Sequence, residues 1–366
     1  MKQQVVVAKC GSYDKQEIKH AVEKVFRFSG IRKEGFRKIL FKPNMLSARL
    51  PEDGVTTHPS VVEEAICFFN GCENLIGDSP ANSLRPIQDY WKKCGFQKVS
   101  QNTGATLVRF STSFFVETTV GTQVVNVPIT SFVKDYSLIN IAKLKTHNFT
   151  VLTAAVKNLY GLIPGYHKSI LHGRFVSPLD FSQFIAEYYH AVSRYVSFNI
   201  VDAVVSMEGN GPSSGNLRNT GYLIGGKNAV AVDIVCCWLL GINETKVPYL
   251  QAYKKKYGLP EVEVNGDELI SVKHFVVPSK NFYLFMSNGF IRKCLNLLGK
   301  YFNLIPEIKQ SKCKKCFACK QVCPVNAISE ELKIDRIKCI NCLCCFEVCP
   351  YRAIKVKKSF LARLLT

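Results

Sequence analysis

Residues 313–324 read Cys-Lys-Lys-Cys-Phe-Ala-Cys-Lys-Gln-Val-Cys-Pro, and residues 339–350 repeat the pattern as Cys-Ile-Asn-Cys-Leu-Cys-Cys-Phe-Glu-Val-Cys-Pro. Each copy has the spacing C-x2-C-x2-C-x3-C-P. Such a run binds one cubane iron–sulfur cluster through its first three thiolates and gives its fourth thiolate to the neighbouring cluster. The repeat therefore predicts two 4Fe-4S clusters inside a small α+β ferredoxin-like C-terminal domain.

The exchange of the fourth ligand divides eight cysteines into two sets. One cluster is predicted to bind Cys313, Cys316, Cys319 and Cys349, and the other is predicted to bind Cys339, Cys342, Cys345 and Cys323. Zinc is the alternative for paired cysteines, but each zinc ion takes four ligands, and a zinc site does not require a second set of four cysteines at the same spacing. Disulfides are excluded because cysteines three apart in one loop pair badly. Cys344 is an additional thiol that the spacing leaves without a role.

Composition is that of an ordinary globular protein. The 366 residues are 47% hydrophobic and 21% charged, which favours about two domains with a substantial core. No apolar run approaches the roughly 18 residues of a membrane span. The N-terminal segment has no cleavage-site pattern and is expected to be a first strand. Since the cluster thiolates need a reducing compartment, we expect a cytoplasmic protein.

The chain is strongly basic, with a formal charge of +20. Two oxidised clusters with their thiolates contribute about −4 in total, so the excess remains. Residues 311–366 hold 12 Lys and Arg against 4 Asp and Glu. This balance predicts an acidic redox partner such as ferredoxin or flavodoxin, a small anionic substrate, or an anionic membrane surface. Nucleic acid is not expected, because the basic residues are scattered and no nucleic-acid-binding motif accompanies them.

Upstream of the cysteine runs, short apolar strands alternate with amphipathic helices. This alternation predicts an α/β domain over residues 1–280, with a mostly parallel sheet flanked by helices. Residues 105–134 are rich in Thr, Val and Phe and are predicted to form an inserted antiparallel section. The remaining predicted units are an apolar helical linker at 281–310, the two-cluster domain at 311–358 and a tail at 359–366.

The linker at 281–310 combines many apolar residues with Lys and Arg. One interpretation is a helix packed between the two domains. The other is a basic amphipathic helix in peripheral contact with a membrane surface or an acidic partner.

Polar residues follow several of the predicted strands. Ligands of such sheets bind at the carboxyl ends of the strands, so these residues are expected to share one crevice. The predicted catalytic residues, which hold the anion or move protons, are Lys42, Asp78, Lys145, His147, Lys157 and Glu208. The predicted substrate-binding residues are Asn44, Thr57, His58, Ser79, Asn158, Gly209 and Gly211. For the histidines a structural role is the alternative, and for Lys157 it is a side chain that reaches solvent.

An ordered series of short motifs resembles the domain-of-unknown-function 362 family. The series is Lys-Pro-Asn (42–44), Thr-His-Pro (57–59), Gly-Asp-Ser (77–79), Lys-x-Lys-Thr-His (143–147), Val-Lys-Asn-Leu-Tyr-Gly (156–161), Asp202, Glu-Gly-Asn-Gly-Pro (208–212) and Ala-Val-Asp (231–233). The resemblance implies an iron–sulfur protein, since many members carry a bacterial-type two-cluster ferredoxin module. The family is also distantly similar to the nickel-dependent lactate racemase group, but no ligand set here demands nickel.

Three functions remain open from the sequence. The leading hypothesis is an iron–sulfur oxidoreductase whose clusters pass electrons to a small anion in the N-terminal crevice. The second is a ferredoxin-type carrier or adaptor in a larger complex. The third is a non-redox isomerase-like or ligase-like enzyme with structural or sensing clusters.

Overall fold

The computed structural model describes residues 2–80, 85–277 and 304–358. Most of the predicted linker, and the predicted tail at 359–366, lie outside the described residues. The larger part of the molecule is built on one nine-stranded sheet, in which eight strands have the order β11-β1-β10-β9-β7-β2-β3-β4 and β8 pairs with β7. Its strands are β1 Gln3–Lys9, β2 Lys38–Pro43, β3 Glu73–Asp78, β4 Thr106–Arg109, β7 Ser137–His147, β8 Val151–Thr153, β9 Val196–Glu208, β10 Asn216–Gly226 and β11 Val262–Gly266.

The central strands of this sheet run parallel. Strand β2 pairs in parallel with β3 and β7, and β7 pairs in parallel with β9. Antiparallel pairing occurs where β10 lies between β1 and β9. The predicted α/β class with a mostly parallel sheet is therefore confirmed, and the carboxyl ends of β2, β3 and β7 meet at one edge.

Helices cover both faces of the sheet because the strands are apolar on both sides. In β1, Val5 and Val7 pack into one buried cluster, while Val6 and Ala8 pack into the other. Such two-sided burial is typical of parallel sheets. The helices are α1 Lys15–Phe28, α2 Pro59–Phe68, α3 Ile87–Lys93, α4 Phe96–Thr103, α5 Ala155–Asn158, α6 His167–Arg174, α7 Pro178–Val192, α8 Ala229–Leu239 and α9 Pro248–Tyr257.

Local sequence signals set several helix starts. Asp14 caps α1 by accepting from the backbone N–H groups of Gln16 and Glu17, and Pro59 occupies the first position of α2. Within the described residues, no helix is long and apolar enough to cross a membrane.

The inserted antiparallel section is smaller than the sequence predicted. Strands β5 (Ser113–Val120) and β6 (Gln123–Thr130) form the expected antiparallel hairpin. Residues 106–109, which fall within the predicted antiparallel section, instead form β4 and pair in parallel with β3. The reason is that α3 and α4 make a crossover between these two strands, and alternation alone does not reveal which partner a strand will take.

The C-terminal part is the ferredoxin-like unit. Strand β12 (Leu304–Ile308) pairs antiparallel with β13 (Ile354–Lys358). The short helices α10 (Ala318–Gln321) and α11 (Cys344–Val348) each lie within one of the two cysteine runs. Residues 304–308 fall within the predicted helical linker. They form a strand because β13 offers them a partner edge, which a search for helical periodicity does not detect.

Candidate functional site

The structure brings the cysteines of each predicted set together. Burial raises the pKa of Cys319 to about 12, and its neighbours Cys349, Cys316 and Cys313 add to the rise. All four of these residues line one small cavity. Burial likewise raises the pKa of Cys339, with nearby Cys342 and Cys323 adding to it. Burial also raises the pKa of Cys345, and its neighbours include Cys342, Cys339 and Cys323, as well as Cys319 of the other set. Each neighbourhood therefore contains three cysteines of one loop and the fourth cysteine of the other.

The two cysteine loops have the same backbone conformation, 26 residues apart. Positive φ values occur at Lys315 (50°) and Phe317 (57°) in the first loop, and at Asn341 (54°) and Leu343 (61°) in the second. The N–H groups four residues after the last cysteine of each loop donate to that sulfur, Ala327 to Cys323 at 3.2 Å and Ala353 to Cys349 at 3.3 Å. Non-glycine residues rarely adopt positive φ, so the repeated strain indicates two loops shaped for the same task.

The four cysteines around Cys319 are a suitable donor set for one cubane cluster. Among the described residues, no group of three or more His, Cys, Asp or Glu side chains is placed to hold a single metal ion. A cubane has four separate irons, and each thiolate binds a different one, so its ligands need not converge on one point.

A second cavity lies between the sheet and the ferredoxin-like unit. It has a volume of about 80 Å³, which is room for roughly five waters or one small molecule at ~15 Å³ for each water. The α/β domain contributes Lys42, Asn44, Asp78, Ser79, Lys145, His147, Lys157, Asn158, Tyr160, Lys168 and His172 to its wall. The ferredoxin-like unit contributes Cys344, Glu347 and Val348.

The ends of β2 and β3 supply one charged corner of this interdomain cavity. Lys42 Nζ lies 3.2 Å from Asp78 Oδ1 and donates to the carbonyl oxygen of Pro43 at 3.1 Å. Asp78 also accepts from the N–H groups of Met45 and Ser79, at 2.9 and 2.8 Å. Both side chains are buried. Lys42 is therefore compensated by a carboxylate, as a buried charge requires.

Three further lysines of the cavity wall form no ion pair with a carboxylate of the described residues. Lys145 Nζ donates to Asn44 Oδ1 at 2.9 Å and to the Val55 carbonyl at 2.5 Å, and Lys168 Nζ donates to the carbonyl of Ser79. Lys157 Nζ lies 5.5 Å from the ring centre of Tyr160 and 5.6 Å from that of Phe181. Among the described residues its ammonium group has no hydrogen-bond acceptor.

Burial lowers the pKa of all three lysines. It lowers the pKa of Lys145 to about 7, with nearby Lys157 contributing, and it lowers the pKa of Lys168 to about 7. It also lowers the pKa of Lys157, although Glu347 opposes the change. An anion in the cavity would reverse these shifts by favouring the protonated lysines.

His147 and Glu347 connect the two parts of the molecule. His147 Nδ1 accepts from the N–H groups of Phe149 and Thr150, at 3.0 and 3.4 Å, so the neutral ring carries its proton on Nε2. That Nε2 lies 3.1 Å from Glu347 Oε1 of helix α11. Burial would raise the pKa of Glu347, but His147 and Lys157 bring it down to about 2, while burial lowers the pKa of His147 to about 4.

A chain of amides fixes the position of Asn158 and of Asn44. Asn44 Nδ2 donates to Asn158 Oδ1 at 3.0 Å, Asn158 Nδ2 donates to Asn140 Oδ1 at 2.8 Å, and Asn140 Nδ2 donates to Asn199 Oδ1 at 2.9 Å. The carboxylate of Asp233 accepts from the N–H groups of Ala155 and Val156 at the start of α5. The short helix that carries Lys157 and Asn158 is therefore held at both ends.

The cavity includes only part of the predicted crevice. It is lined by Lys42, Asp78, Lys145, His147, Lys157, Asn44, Ser79 and Asn158, but not by Thr57, His58, Glu208, Gly209 or Gly211.

Thr57 and His58 support neighbouring structure. Thr57 Oγ1 accepts from the Asn44 N–H at 2.8 Å and donates to the Ile141 carbonyl at 2.7 Å. The His58 ring stacks on Tyr13 with centroids 3.7 Å apart, and the backbone N–H of His58 donates to the Asp202 carboxylate. Lys143 completes that second polar group by donating to Asp202 and to the Tyr13 hydroxyl.

Glu208, Gly209 and Gly211 shape the loop after β9. Glu208 Oε2 accepts from the Val276 N–H at 3.1 Å. A Cβ on Gly211 would lie 2.0 Å from the Thr146 carbonyl oxygen. Only glycine allows this approach, which brings the following Pro212 into the cavity wall.

Sequence reasoning missed Lys168, His172, Cys344 and Glu347. Lys168 and His172 are four residues apart and so share one face of α6. Cys344 and Glu347 stand where the first cysteine loop has Ala318 and Gln321. Comparing the two copies position by position would have marked both residues.

Comparisons with known proteins agree with these observations. The sequence matches the family described as Domain of unknown function (DUF362) over residues 39–238, and a 4Fe-4S binding domain over residues 332–355. The match confirms the resemblance drawn from the short motifs. It also shows an iron–sulfur domain of the electron-transfer type.

Two individual proteins are similar to the chain. A thylakoid-associated protein of Synechocystis sp. is 27% identical over 222 residues, which cover 60% of this chain and 67% of that protein. A crystal structure of a Thermotoga maritima protein matches with a TM-score of 0.40 and 14% identity, covering 68% of this chain. The chain spans only 59% of the Thermotoga maritima chain.

Proposed function

Because the chain belongs to the family described as Domain of unknown function (DUF362) and carries a 4Fe-4S domain, we propose that it is an iron–sulfur oxidoreductase acting on a small anion. Two 4Fe-4S clusters, held by the two cysteine sets, would supply single electrons to that anion in the interdomain cavity. The observation that carries the proposal is the cavity wall. Lysines of the α/β domain form one side, and the helix that follows the second cysteine loop forms the other.

Charge supports an anionic ligand. Lys42 is paired with Asp78, whereas Lys145 and Lys168 donate only to neutral oxygens and Lys157 faces aromatic rings. Glu347 is the one other carboxylate that lines the cavity in the described part of the chain. A buried excess of positive charge is stabilised by an anion, so Lys145, Lys157 and Lys168 would hold the ligand.

We propose that His147 donates a hydrogen bond from Nε2 to the ligand, because burial lowers its pKa to about 4 and keeps the ring neutral. Its Nδ1 is occupied by two backbone N–H groups, so the proton sits on Nε2, which faces the cavity and Glu347. Asp78 accepts from Lys42 and from two N–H groups, so its carboxyl oxygens are already occupied. Glu208 lies outside the cavity wall and is therefore the least favoured of the residues predicted to move protons.

The environment of the protein is also a proposal. Cysteine ligands of iron favour a reducing compartment, so we place the protein in the cytoplasm. Its basic charge supports reduction by an acidic carrier such as ferredoxin or flavodoxin. The similar Synechocystis protein is named as thylakoid-associated, which supports peripheral membrane contact through residues 281–310 as a further proposal.

Iron analysis and four variants test the function. Anaerobically purified protein should contain about eight irons per chain, and Cys316→Ser and Cys342→Ser should each lower that number. Lys157→Met and His147→Gln should retain iron but lose electron delivery to a small molecule. An adaptor would keep electron transfer to proteins in both latter variants. A non-redox enzyme would keep its activity in both cysteine variants, and that result would refute the proposal.

A further inference from the structure

The two cysteine loops have the same backbone but different surroundings. We name residues 312–321 the outer loop and residues 338–347 the inner loop. The inner loop packs against the α/β domain. Glu347 contacts His147, the Phe346 carbonyl accepts from Ser213 Oγ at 3.4 Å, and Ile340 lies beside Gly173. Its cysteine Cys342 is buried, whereas the equivalent Cys316 of the outer loop is exposed.

The residue differences between the loops follow the same division. The outer loop has exposed Lys314 and Lys315 at positions where the inner loop has Ile340 and Asn341. Lys312 is exposed as well. Among the described residues none of these three lysines forms an ion pair, while Lys320 is neutralised by Glu330. The inner loop has an exposed lysine, Lys338, at the position of Lys312 but none at the positions of Lys314 and Lys315, so the outer loop is the more basic of the two copies.

From this asymmetry we propose that the outer loop is the docking surface for an acidic electron-carrier protein, and that electrons enter the chain there. Lys312, Lys314 and Lys315 precede the exposed Cys316 by one to four residues, so an acidic partner attracted to them would lie next to the first cysteine set. One electron would leave the reduced partner, and no proton or bond change is required at this surface. The inference rests on the two clusters of the proposed function and fixes which of them faces the donor.

Electrostatic attraction explains why lysines suit this surface. Complementary charge raises association rates by about 10–10³-fold and weakens as salt screens it. Lysine ammonium groups on flexible stems also leave the partner free to dissociate, because each exposed ion pair contributes little to affinity. The inner loop could not serve the same purpose, since Cys342, Cys344 and Glu347 are buried against the α/β domain.

The test is the affinity of the oxidised holoprotein for an acidic plant-type ferredoxin and for a flavodoxin, measured at several salt concentrations. The double variant Lys314→Glu/Lys315→Glu should bind about 10-fold more weakly at low salt, and the Gln/Gln double variant should lie between. The matched control is Lys254→Glu/Lys255→Glu, which reverses two exposed lysines near the end of α9 and should leave affinity unchanged. Iron content establishes that each variant keeps its loops intact.

A second readout does not depend on the variants. Lysine acetylation followed by mass spectrometry should show Lys314 and Lys315 protected by bound ferredoxin, with Lys254 and Lys255 still reactive. Equal weakening by both Glu/Glu variants, no binding of either carrier, or protection of lysines elsewhere would overturn the proposal. Because these experiments contain no small-molecule substrate, a failed anion site would leave their outcome unaffected.

Discussion

Lys157 is the lysine of the cavity wall that most needs an anion to balance its charge. It is buried, it lies over two aromatic rings, and its neighbours Glu347 and Cys344 belong to the ferredoxin-like unit. Replacing it with Met keeps the apolar stem and removes the charge. We expect affinity for small anions such as phosphate or malonate to fall by about 30-fold, since a buried charge contact is worth about 2 kcal/mol or more. Calorimetric titration measures this, and exposed Lys254→Met serves as the control.

Anion affinity should decrease as pH rises through 7. Burial lowers the pKa of Lys145 and of Lys168 to about 7, so below pH 7 both are charged and above it both lose their protons in the empty cavity. Binding an anion then requires proton uptake. The charges near Lys145 are Lys157, Glu347, Lys143 and Asp78, and those near Lys168 are Asp78 and Lys42. Titrations from pH 6 to 9 would show this dependence, and an affinity that rose with pH would contradict it.

The turn after α5 depends on one glycine. A Cβ on Gly161 would lie 2.3 Å from Lys42 Nζ and 2.6 Å from Asp78 Oδ1. Gly161→Ala must therefore displace a buried ion pair, which we expect to lower the free energy of unfolding by about 1–3 kcal/mol and to weaken anion binding. Gly35→Ala is the matched control, because its Cβ would meet nothing within 4 Å. Equal denaturation midpoints for the two variants would show that this close contact does not affect the free energy of unfolding.

At the scale of elements, the sequence predicted the strand ends well and the pairing less well. Lys42, Asp78 and Lys145 lie among the last residues of β2, β3 and β7, and parallel pairing brings them to one edge as expected. Thr57 and His58 did not enter the cavity, because one holds the loop backbone and the other joins Tyr13 and Asp202. Strand alternation predicts where a chain turns, but it does not specify which side chains a loop turns inward.

The cavity wall is formed by both domains, and this is one reason why the sequence predicted only part of it. Cys344 and Glu347 come from a different domain, and their approach to His147 depends on how that domain docks. Spacing within either domain contains no record of this contact. The difference between the two cysteine loops was visible in the sequence, but it acquires meaning only when one loop proves buried and the other exposed.

Arg49 is a buried link between the two parts. Its Nη2 donates to the Cys349 carbonyl at 2.9 Å, and its Nη1 lies 3.9 Å from Asp53. We expect Arg49→Met to loosen the docking of the ferredoxin-like unit, because a hydrogen bond from a charged donor is worth about 1.5–3 kcal/mol. Hydrogen exchange should become faster in residues 344–353 than in the wild type. Arg218→Met, which removes a hydrogen bond to Lys273, should leave that segment unchanged.

The central claim is that the interdomain cavity is where a small anion accepts electrons. Its most direct measurement follows the visible and EPR spectra of anaerobic, chemically reduced protein while fractionated cell metabolites are added. The account predicts that a small-molecule fraction reoxidises the protein and that Lys157→Met abolishes this without loss of iron. Reoxidation by protein fractions alone, equal in wild type and variant, would contradict the claim and leave the chain a carrier or adaptor.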